Sequence, residues 1–451
     1  MTSIVFRLPV TILLLMFLSI SVHAREAEAL ESDTLLAEVN GTFIPHESFK
    51  LLYSVVSGGK GAMTRQQLLE SSIESRILAL YGESTLGSAA LKETTAVGYP
   101  VDVLLNDELV GILRLNFQDE INAHIDTKFH GKLENLVSVN PSLSDSLVPA
   151  QQGLLLDHRL DDELKAKYQD ISVATVSLVN GGSRSLTLYE LFEAQNVQGK
   201  ISIRNADIHF IQTQAVIALS KVYFTDWLLS TGKINEESLN GLNRLVWDKH
   251  VKGKVLLAHG LNNDIHDDNQ VLSEAYKKIT QAEIDDFYGK NKEQFSRIVS
   301  VDARHIRLAN ESDARSVQKA LGQGMDFSEA VKKYSIADDK HLNPPGSLGR
   351  ISGDAEKDWL HTVVFALNAG IPSRPFRSPQ AEGREVFWEI FLVDKMEMGF
   401  YPADSETVRY VAGKDIAMQK LKESFRNLRQ RLFDAATIKL NFRLMKLSSQ
   451  S

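Results

Sequence analysis

Apolar residues with helical spacing recur from residue 64 to residue 279. The segment 64–81 places Leu68, Ile73 and Ile77 on one stripe, which predicts an amphipathic helix. The same spacing predicts further amphipathic helices over residues 104–129, 161–168, 207–230, 236–260 and 270–279. We therefore expect residues 31–297 to be mostly helical, with small β pieces.

Two strand, turn and helix patterns interrupt these helices. The first has a short strand over Leu35–Val39, a turn at Asn40 and Gly41, and then a helix. The second has a strand over 173–179, a turn over 180–182, and a helix from Leu188. Two occurrences are too few to predict a repeat architecture.

The pattern changes after a capping box at Thr280 and Glu283, which marks the start of one more helix. Residues 301–309, VDARHIRLA, alternate as a strand that contains His305. A helix over 312–321, the loop PPGSLGRIS, a second helix and turn, VVFALNAGIPSRPF, and a final strand, EVFWEIFLVDK, follow in that order. These elements predict alternating strands and helices in this part of the chain.

Two elements are predicted near the carboxyl end of the chain. Leu421, Phe425, Leu428 and Leu432 form one stripe, which predicts an amphipathic helix. Residues 438–444 alternate between apolar and polar side chains, the period of a half-buried strand. Our hypothesis is that this helix and strand return to pack on the N-terminal domain.

The first residues predict a signal peptide. Arg7 precedes an apolar run from Leu8 to Ile20, and small residues ending at Ala24 form a cleavage pattern. The run is shorter than the roughly 20 residues that a permanent membrane-spanning helix needs. We expect cleavage after Ala24 and no permanent membrane anchor.

Composition excludes several kinds of protein. The 451 residues include no cysteine, which rules out disulfides, thiolate metal sites and a cysteine nucleophile. The net charge of −8 and the lack of a basic stripe argue against nucleic-acid binding. The length predicts two to four domains.

The order of motifs over residues 298–398 resembles the parvulin family of peptidyl-prolyl cis-trans isomerases. The opening VNG and helix resemble the chaperone domain of SurA-, PpiD- and PrsA-type envelope foldases. The resemblance implies an α+β fold with three parts after the signal peptide of residues 1–24. These are a mostly helical, chaperone-like domain over 25–297, a parvulin domain over 298–398 with a four-stranded antiparallel sheet and flanking helices, and a C-terminal helix and short strand over 399–451.

The resemblance also implies a function. It predicts a prolyl isomerase and chaperone that assists the folding of exported proteins, in the periplasm or, alternatively, outside the cell. Its partners would be unfolded or partly folded exported polypeptides with proline-containing segments, and it would need no cofactor and no metal. The alternative is a non-catalytic holdase or an assembly scaffold that keeps the parvulin fold as a peptide-binding groove.

Parvulins use two histidines, a Cys or Asp, and an apolar cup of Leu, Met and Phe. Here His305 matches the first histidine and is the predicted catalytic residue, while Leu348 matches the cup leucine. The side chains at the remaining positions differ from those of parvulins. The rest of the predicted substrate-binding set is Glu356 in place of Met, Leu360 in place of Phe with Trp359 beside it, Ala337 or its neighbour Asp338 in place of Cys or Asp, and Trp388 in place of the second histidine. We therefore expect weak or absent isomerase activity.

Other interpretations stay open for these residues. His305 could be a structural histidine, and Trp359 and Trp388 could be core residues or groove walls rather than catalytic residues. The short connection after the strand of His305 carries no basic residue, which argues against phosphate recognition. A cluster of possible metal ligands lacks a ligand-like spacing and favours a solvated loop: His259, Asp264, His266, Asp267 and Asp268.

Overall fold

The structure is a computed structural model that describes residues 28–58, 61–93, 97–147, 159–261, 269–380 and 385–447. The predicted signal peptide and most of the possible metal cluster, residues 264–268, lie outside this described part. The strands are β1 Glu28–Ala29, β2 Leu35–Val39, β3 Thr42–Pro45, β4 Val137–Val139, β5 Ser172–Ser177, β6 Ser183–Thr187, β7 Ser296–Leu308, β8 Ser347–Ser352, β9 Phe376–Arg377, β10 Trp388–Phe400 and β11 Ile438–Leu440. The helices are α1 His46–Val56, α2 Arg65–Thr85, α3 Gly87–Lys92, α4 Val101–Asn116, α5 Gln118–Phe129, α6 Leu143–Ser146, α7 Asp162–Asp170, α8 Leu188–Glu193, α9 Val197–Arg204, α10 Ile208–Ser230, α11 Glu236–Ala258, α12 Gln270–Lys277, α13 Gln281–Lys290, α14 Glu311–Gly322, α15 Phe327–Tyr334, α16 Trp359–Val364, α17 Glu406–Ala435 and α18 Phe442–Leu447.

The chain divides into two compact units, and the predicted α+β class is confirmed. The first unit comprises Met1–Asn262 together with Ser424–Ser451, and the second comprises Asn263–Glu423. Helix α17 begins in the second unit and ends in the first. Within the described residues, no helix is both long enough and apolar enough to cross a membrane.

Both predicted Asn-Gly turns form β-hairpins in the first unit. β2 pairs with β3 across Asn40 and Gly41, which both have positive φ, and β5 pairs with β6 across the turn at 180–182. An Asn-Gly pair suits a tight hairpin because both central residues of that turn need positive φ. The second strand of each hairpin, β3 or β6, was not predicted, while the helix expected from Leu188 does begin there as α8.

Most predicted helices form close to their predicted bounds, with one break. The single helix expected over 104–129 is instead α4 and α5, which meet at Phe117. Asn116 ends α4 by donating hydrogen bonds from its side chain to the carbonyls of Leu51 (2.9 Å) and Ile112 (2.8 Å). This tertiary contact with α1 is invisible to helical periodicity.

The C-terminal segment packs back on the first unit, as hypothesised. β11 pairs antiparallel with β2 and parallel with β1. The prediction that the strand continues through Phe442 and Leu444 is wrong, because residues 442–447 form α18. Asn441 ends the strand: its backbone N–H donates to the carbonyl of Leu36, and its side-chain oxygen accepts from the N–H of Leu444 at 3.1 Å, which starts the helix.

The first unit also encloses a group of charged side chains that we call the arginine cluster: Arg76, Asp248, Arg244 and Glu83. Arg76 is 1% exposed, and its Nε lies 2.5 Å from one oxygen of Asp248, which is fully buried. Arg244 Nε donates to the other oxygen at 2.8 Å and also pairs with Glu83. The cluster joins α2 to α11, with Arg76 and Asp248 buried and Arg244 and Glu83 partly exposed.

The second unit is built around an antiparallel sheet in the order β8, β7, β10, β9. One face of this sheet packs on α14 and α15 through Ile306, Leu308, Ile390 and Leu392. The other face packs on α16 through Val301, Ala303, Phe391 and Val393. We call the second face the α16 face, and it carries His305.

Candidate functional site

His305 lies near the carboxyl end of β7, on the α16 face. Strand alternation places it on the same side as Ala303, and it is paired in register with Phe391 of β10. The His305 and Phe391 rings are roughly parallel, with centroids 6.4 Å apart. The His305 side chain is 2% exposed, so any role in chemistry has to act from a buried position.

Both ring nitrogens of His305 contact carboxylates. Nδ1 is 3.0 Å from Glu389 Oε1, and Nε2 is 2.5 Å from Asp339 Oδ2. Burial alone lowers the pKa of His305, but the hydrogen bonds and charges of Glu389 and Asp339 outweigh it and raise that pKa above its usual value. The arrangement favours an imidazolium that donates to one carboxylate on each side.

Arg307 completes what we call the histidine cluster: His305, Glu389, Asp339 and Arg307. Its Nε donates to Glu389 Oε1 at 2.8 Å, and Glu389 is paired with Arg307 in the register of β7 and β10. Glu389 is fully buried, and both His305 and Arg307 contact its Oε1, which are the partners that a buried carboxylate needs. Within the described residues, Glu389 Oε2 and Asp339 Oδ1 are buried without a hydrogen-bond partner.

A tight turn positions Asp339 against His305. Asp339 lies in a short 3-10 helix over Asp338–His341, and its carbonyl accepts from the N–H of Gly346, whose own carbonyl accepts from the N–H of His305 at 2.9 Å. Gly346 has φ +72°, and a Cβ there would come within 2.4 Å of the His305 carbonyl oxygen. Only glycine fits this approach, which holds the loop against β7.

An apolar surface lies on the same face as His305. Leu348, Trp359, Leu360 and Phe376 are half-buried and pack around the fully buried Phe391. The Trp359 and Phe376 ring centroids lie 5.8 Å and 6.2 Å from that of Phe391. A partly exposed set of large apolar side chains next to buried polar groups is a typical composition for a peptide-binding groove.

The structure brings together only part of the predicted site. His305, Leu348, Trp359 and Leu360 share the α16 face. Glu356 is exposed in the segment before α16, so the structure does not make it a wall of the apolar surface. Ala337 is half-buried and donates its backbone N–H to Ser335 Oγ at 3.3 Å.

The sequence predicted Trp388 and Asp338 for the site, but in each case the side chain that contacts His305 belongs to the next residue in the chain. Trp388 packs with Ile306 and Leu308 on the opposite face, because alternate residues of a strand point to opposite sides. The residue that contacts His305 from β10 is Glu389, and the loop acid that contacts it is Asp339, while Asp338 is exposed. The alternation of side chains along β10, counted from the residue that pairs with His305, could have identified Glu389 as a residue on the same face.

No metal site is assigned. Within the described ranges, no group of three or more His, Asp or Glu side chains has the geometry to hold an ion. His259, the described member of the possible cluster, instead lies 3.5 Å from the Tyr81 hydroxyl and contacts the Phe425 ring.

Comparison with known proteins shows which proteins the chain is similar to. No protein-family model matches the chain. The chain is 30% identical over 112 residues to the foldase protein PrsA of Caldanaerobacter subterraneus, covering 24% of this chain and 35% of that protein. It is 27% identical over 208 residues to the putative peptidyl-prolyl cis-trans isomerase Cbf2 of Campylobacter jejuni, covering 45% of this chain and 70% of that protein. Among solved structures, a SurA-like chaperone of Campylobacter jejuni is 20% identical and covers 58% of this chain and 97% of that one, with a TM-score of 0.24.

These relatives confirm the resemblance that the motifs indicated. The chain is similar to parvulin-type foldases and peptidyl-prolyl cis-trans isomerases. The matched part spans about a third of the length of the PrsA relatives.

Proposed function

We propose that the chain is a foldase for exported proteins that combines a chaperone domain with a prolyl isomerase module over residues 298–398. Its clients are unfolded or partly folded polypeptides, whose proline-containing segments bind the module. We place it in the periplasm, since residues 1–24 have the features of a signal peptide, and secretion from the cell is the alternative location.

The observation that carries this proposal is the apolar surface of Leu348, Trp359, Leu360 and Phe376 on the same face as His305. Prolyl isomerisation breaks no covalent bond, and its barrier of about 20 kcal/mol is the loss of amide resonance as the bond twists. A catalyst needs an apolar enclosure for the proline ring and a fixed polar group that favours the twisted amide. The apolar surface matches the first requirement, and the isomerase proposal assigns the second to Asp339, the partly exposed partner of buried His305.

A second candidate function is a non-catalytic holdase that uses the same surface only for binding. The histidine cluster favours it, because the side chain that meets His305 from β10 is the carboxylate of Glu389 rather than a second imidazole. His305 is also buried and engaged at both nitrogens, so it has no free N–H for a substrate amide. Both candidates share the peptide-binding surface and differ only in turnover.

Exchange NMR on a set of Xaa-Pro peptides separates the two candidates. The peptide cis-trans exchange rate is measured with the chain from Arg25 onward and with the variants His305→Gln and Glu389→His. The isomerase proposal predicts acceleration by the unaltered chain that His305→Gln removes. Glu389→His introduces an imidazole at the position that contacts His305, and we expect it to raise the rate further.

The holdase candidate predicts a different result. Peptide resonances would broaden or shift on binding without any acceleration of exchange. That result would contradict the isomerase half of the proposal and retain the binding half. Far-ultraviolet circular dichroism of both variants shows whether a variant that no longer accelerates exchange is still folded.

A further inference from the structure

Arg307 has bonding capacity that the histidine cluster does not use. Its Nε donates to Glu389, while its side chain remains 36% exposed. Among the described residues, none accepts a hydrogen bond from its two terminal nitrogens. A guanidinium has five N–H donors in a planar fork, so four donors remain for a ligand.

The position of this guanidinium is fixed by an aromatic ring. Its central carbon lies 4.0 Å from the centroid of the Phe387 ring. Together, the stack on Phe387 and the hydrogen bond to Glu389 hold the fork in one orientation, which reduces the entropy lost when a ligand binds.

Aromatic contacts connect Arg307 to the apolar surface. The Phe387 ring lies 6.5 Å from the Trp359 ring, edge to face, and Trp359 lies 5.8 Å from Phe391 in the same manner. Arg307 therefore stands at the end of a row of rings that begins in the centre of the surface. A peptide lying along this row would place one of its neighbouring side chains at the guanidinium.

We propose that Arg307 binds the carboxylate of an aspartate or glutamate next to the proline-containing segment, so that the module prefers acidic client segments. The terminal nitrogens of a guanidinium match the two oxygens of a carboxylate. This inference rests on the proposed peptide-binding surface and adds its sequence preference.

The test compares two peptides of nearly equal shape, acetyl-Ala-Glu-Pro-Phe-amide and acetyl-Ala-Gln-Pro-Phe-amide. Competition with a fluorescent proline peptide gives the Kd of each for the chain from Arg25 onward. We expect the Glu peptide to bind about fivefold more tightly, as for a partly exposed ion pair. Raising the salt concentration to about 1 M, where the screening length is about 3 Å, should reduce the ratio.

Two variants identify the residue responsible. Arg307→Gln should bring the ratio of the two Kd values to about one. Because this change removes a partner from buried Glu389, the double variant Arg307→Gln with Glu389→Gln repeats the test without an unpaired carboxylate. Arg315→Gln is the matched control: it removes the same charge from exposed α14, where Arg315 pairs with Glu311, and should keep the ratio unchanged.

The possible failures are distinguishable. Equal Kd values for the two peptides, or a preference that persists in both Arg307 variants, would overturn the inference and leave the peptide-binding surface intact. If neither peptide competes at any concentration, the inference fails together with the proposed function.

Discussion

The arginine cluster of the first unit and the histidine cluster of the second unit both bury charged side chains, but their surroundings differ. Asp248 accepts from a guanidinium at each of its oxygens, while Arg76 also donates to Thr42 and to the carbonyl of Phe43. In the histidine cluster, Glu389 and Asp339 each keep a buried oxygen without a partner among the described residues. The first cluster has such an atom too, since Arg76 Nη2 is buried without a partner among the described residues, so the clusters differ chiefly in that the second lies beside a half-exposed apolar surface.

The two clusters also differ in what titrates. In the first cluster, burial raises the pKa of Asp248 although Arg76 and Arg244 act to lower it. In the second cluster, Glu389 and Asp339 outweigh the effect of burial and raise the pKa of His305 above its usual value. The group whose pKa burial raises is therefore a carboxyl in the first cluster, whereas in the second it is an imidazole whose pKa is raised by its two carboxylate partners.

The largest expected effect is on the arginine cluster. Asp248→Ala leaves Arg76 buried without its carboxylate and should lower the free energy of unfolding by about 3–5 kcal/mol. Urea denaturation followed by circular dichroism measures this loss. The neighbouring variant Lys249→Ala removes an exposed pair with Glu108 and should change stability by less than about 1 kcal/mol. Similar losses in the two variants would contradict the view that burial makes the first pair essential.

The turn that supports the histidine cluster should be next in effect. Gly346→Ala forces a side chain into the left-handed region and against the His305 carbonyl, and we expect a loss of about 2 kcal/mol or more. Gly349→Ala is the control, since Gly349 has φ +71° but no atom within 4 Å of a Cβ, and should cost about 1 kcal/mol. Equal losses would mean that the contact with His305 does not hold the loop.

The pH dependence of stability should be smaller still. Because the folded pKa of His305 is raised above 6.5, its contribution is fully present below that pH and is lost as pH rises through the folded pKa. The loss is at most about 1.4 kcal/mol per pH unit. An NMR titration of the imidazole should place the His305 pKa above 6.5, and His305→Gln should remove this part of the pH dependence. A pKa below 6.5 would show that burial outweighs the two carboxylates.

Local signals predicted much of the fold, since turns, caps and periodicity act over a few residues. The Asn40 turn, the capping box at Thr280 and the strand of His305 all appear where the sequence placed them. Tertiary contacts decided the exceptions, such as the break after Asn116 and the end of β11 at Asn441.

The candidate site was less predictable than the fold. Glu389 was missed because an alignment that is one residue out moves a side chain to the other face of a strand, and it put Trp388 in its place. Asp339 was missed because the length of its loop determines which acid reaches His305. Both errors concern the position of one segment relative to another, which local patterns in a sequence do not determine.

The most direct test of peptide binding by the α16 face compares two tryptophan variants, one on each face of the sheet. The affinity of a proline peptide is measured for the unaltered chain, Trp359→Ala and Trp388→Ala. We predict that Trp359→Ala weakens binding about tenfold, since it removes a half-exposed ring from the apolar surface. Trp388→Ala should lower stability through the opposite face and leave the affinity unchanged. Weaker binding in Trp388→Ala with full affinity in Trp359→Ala would contradict the account.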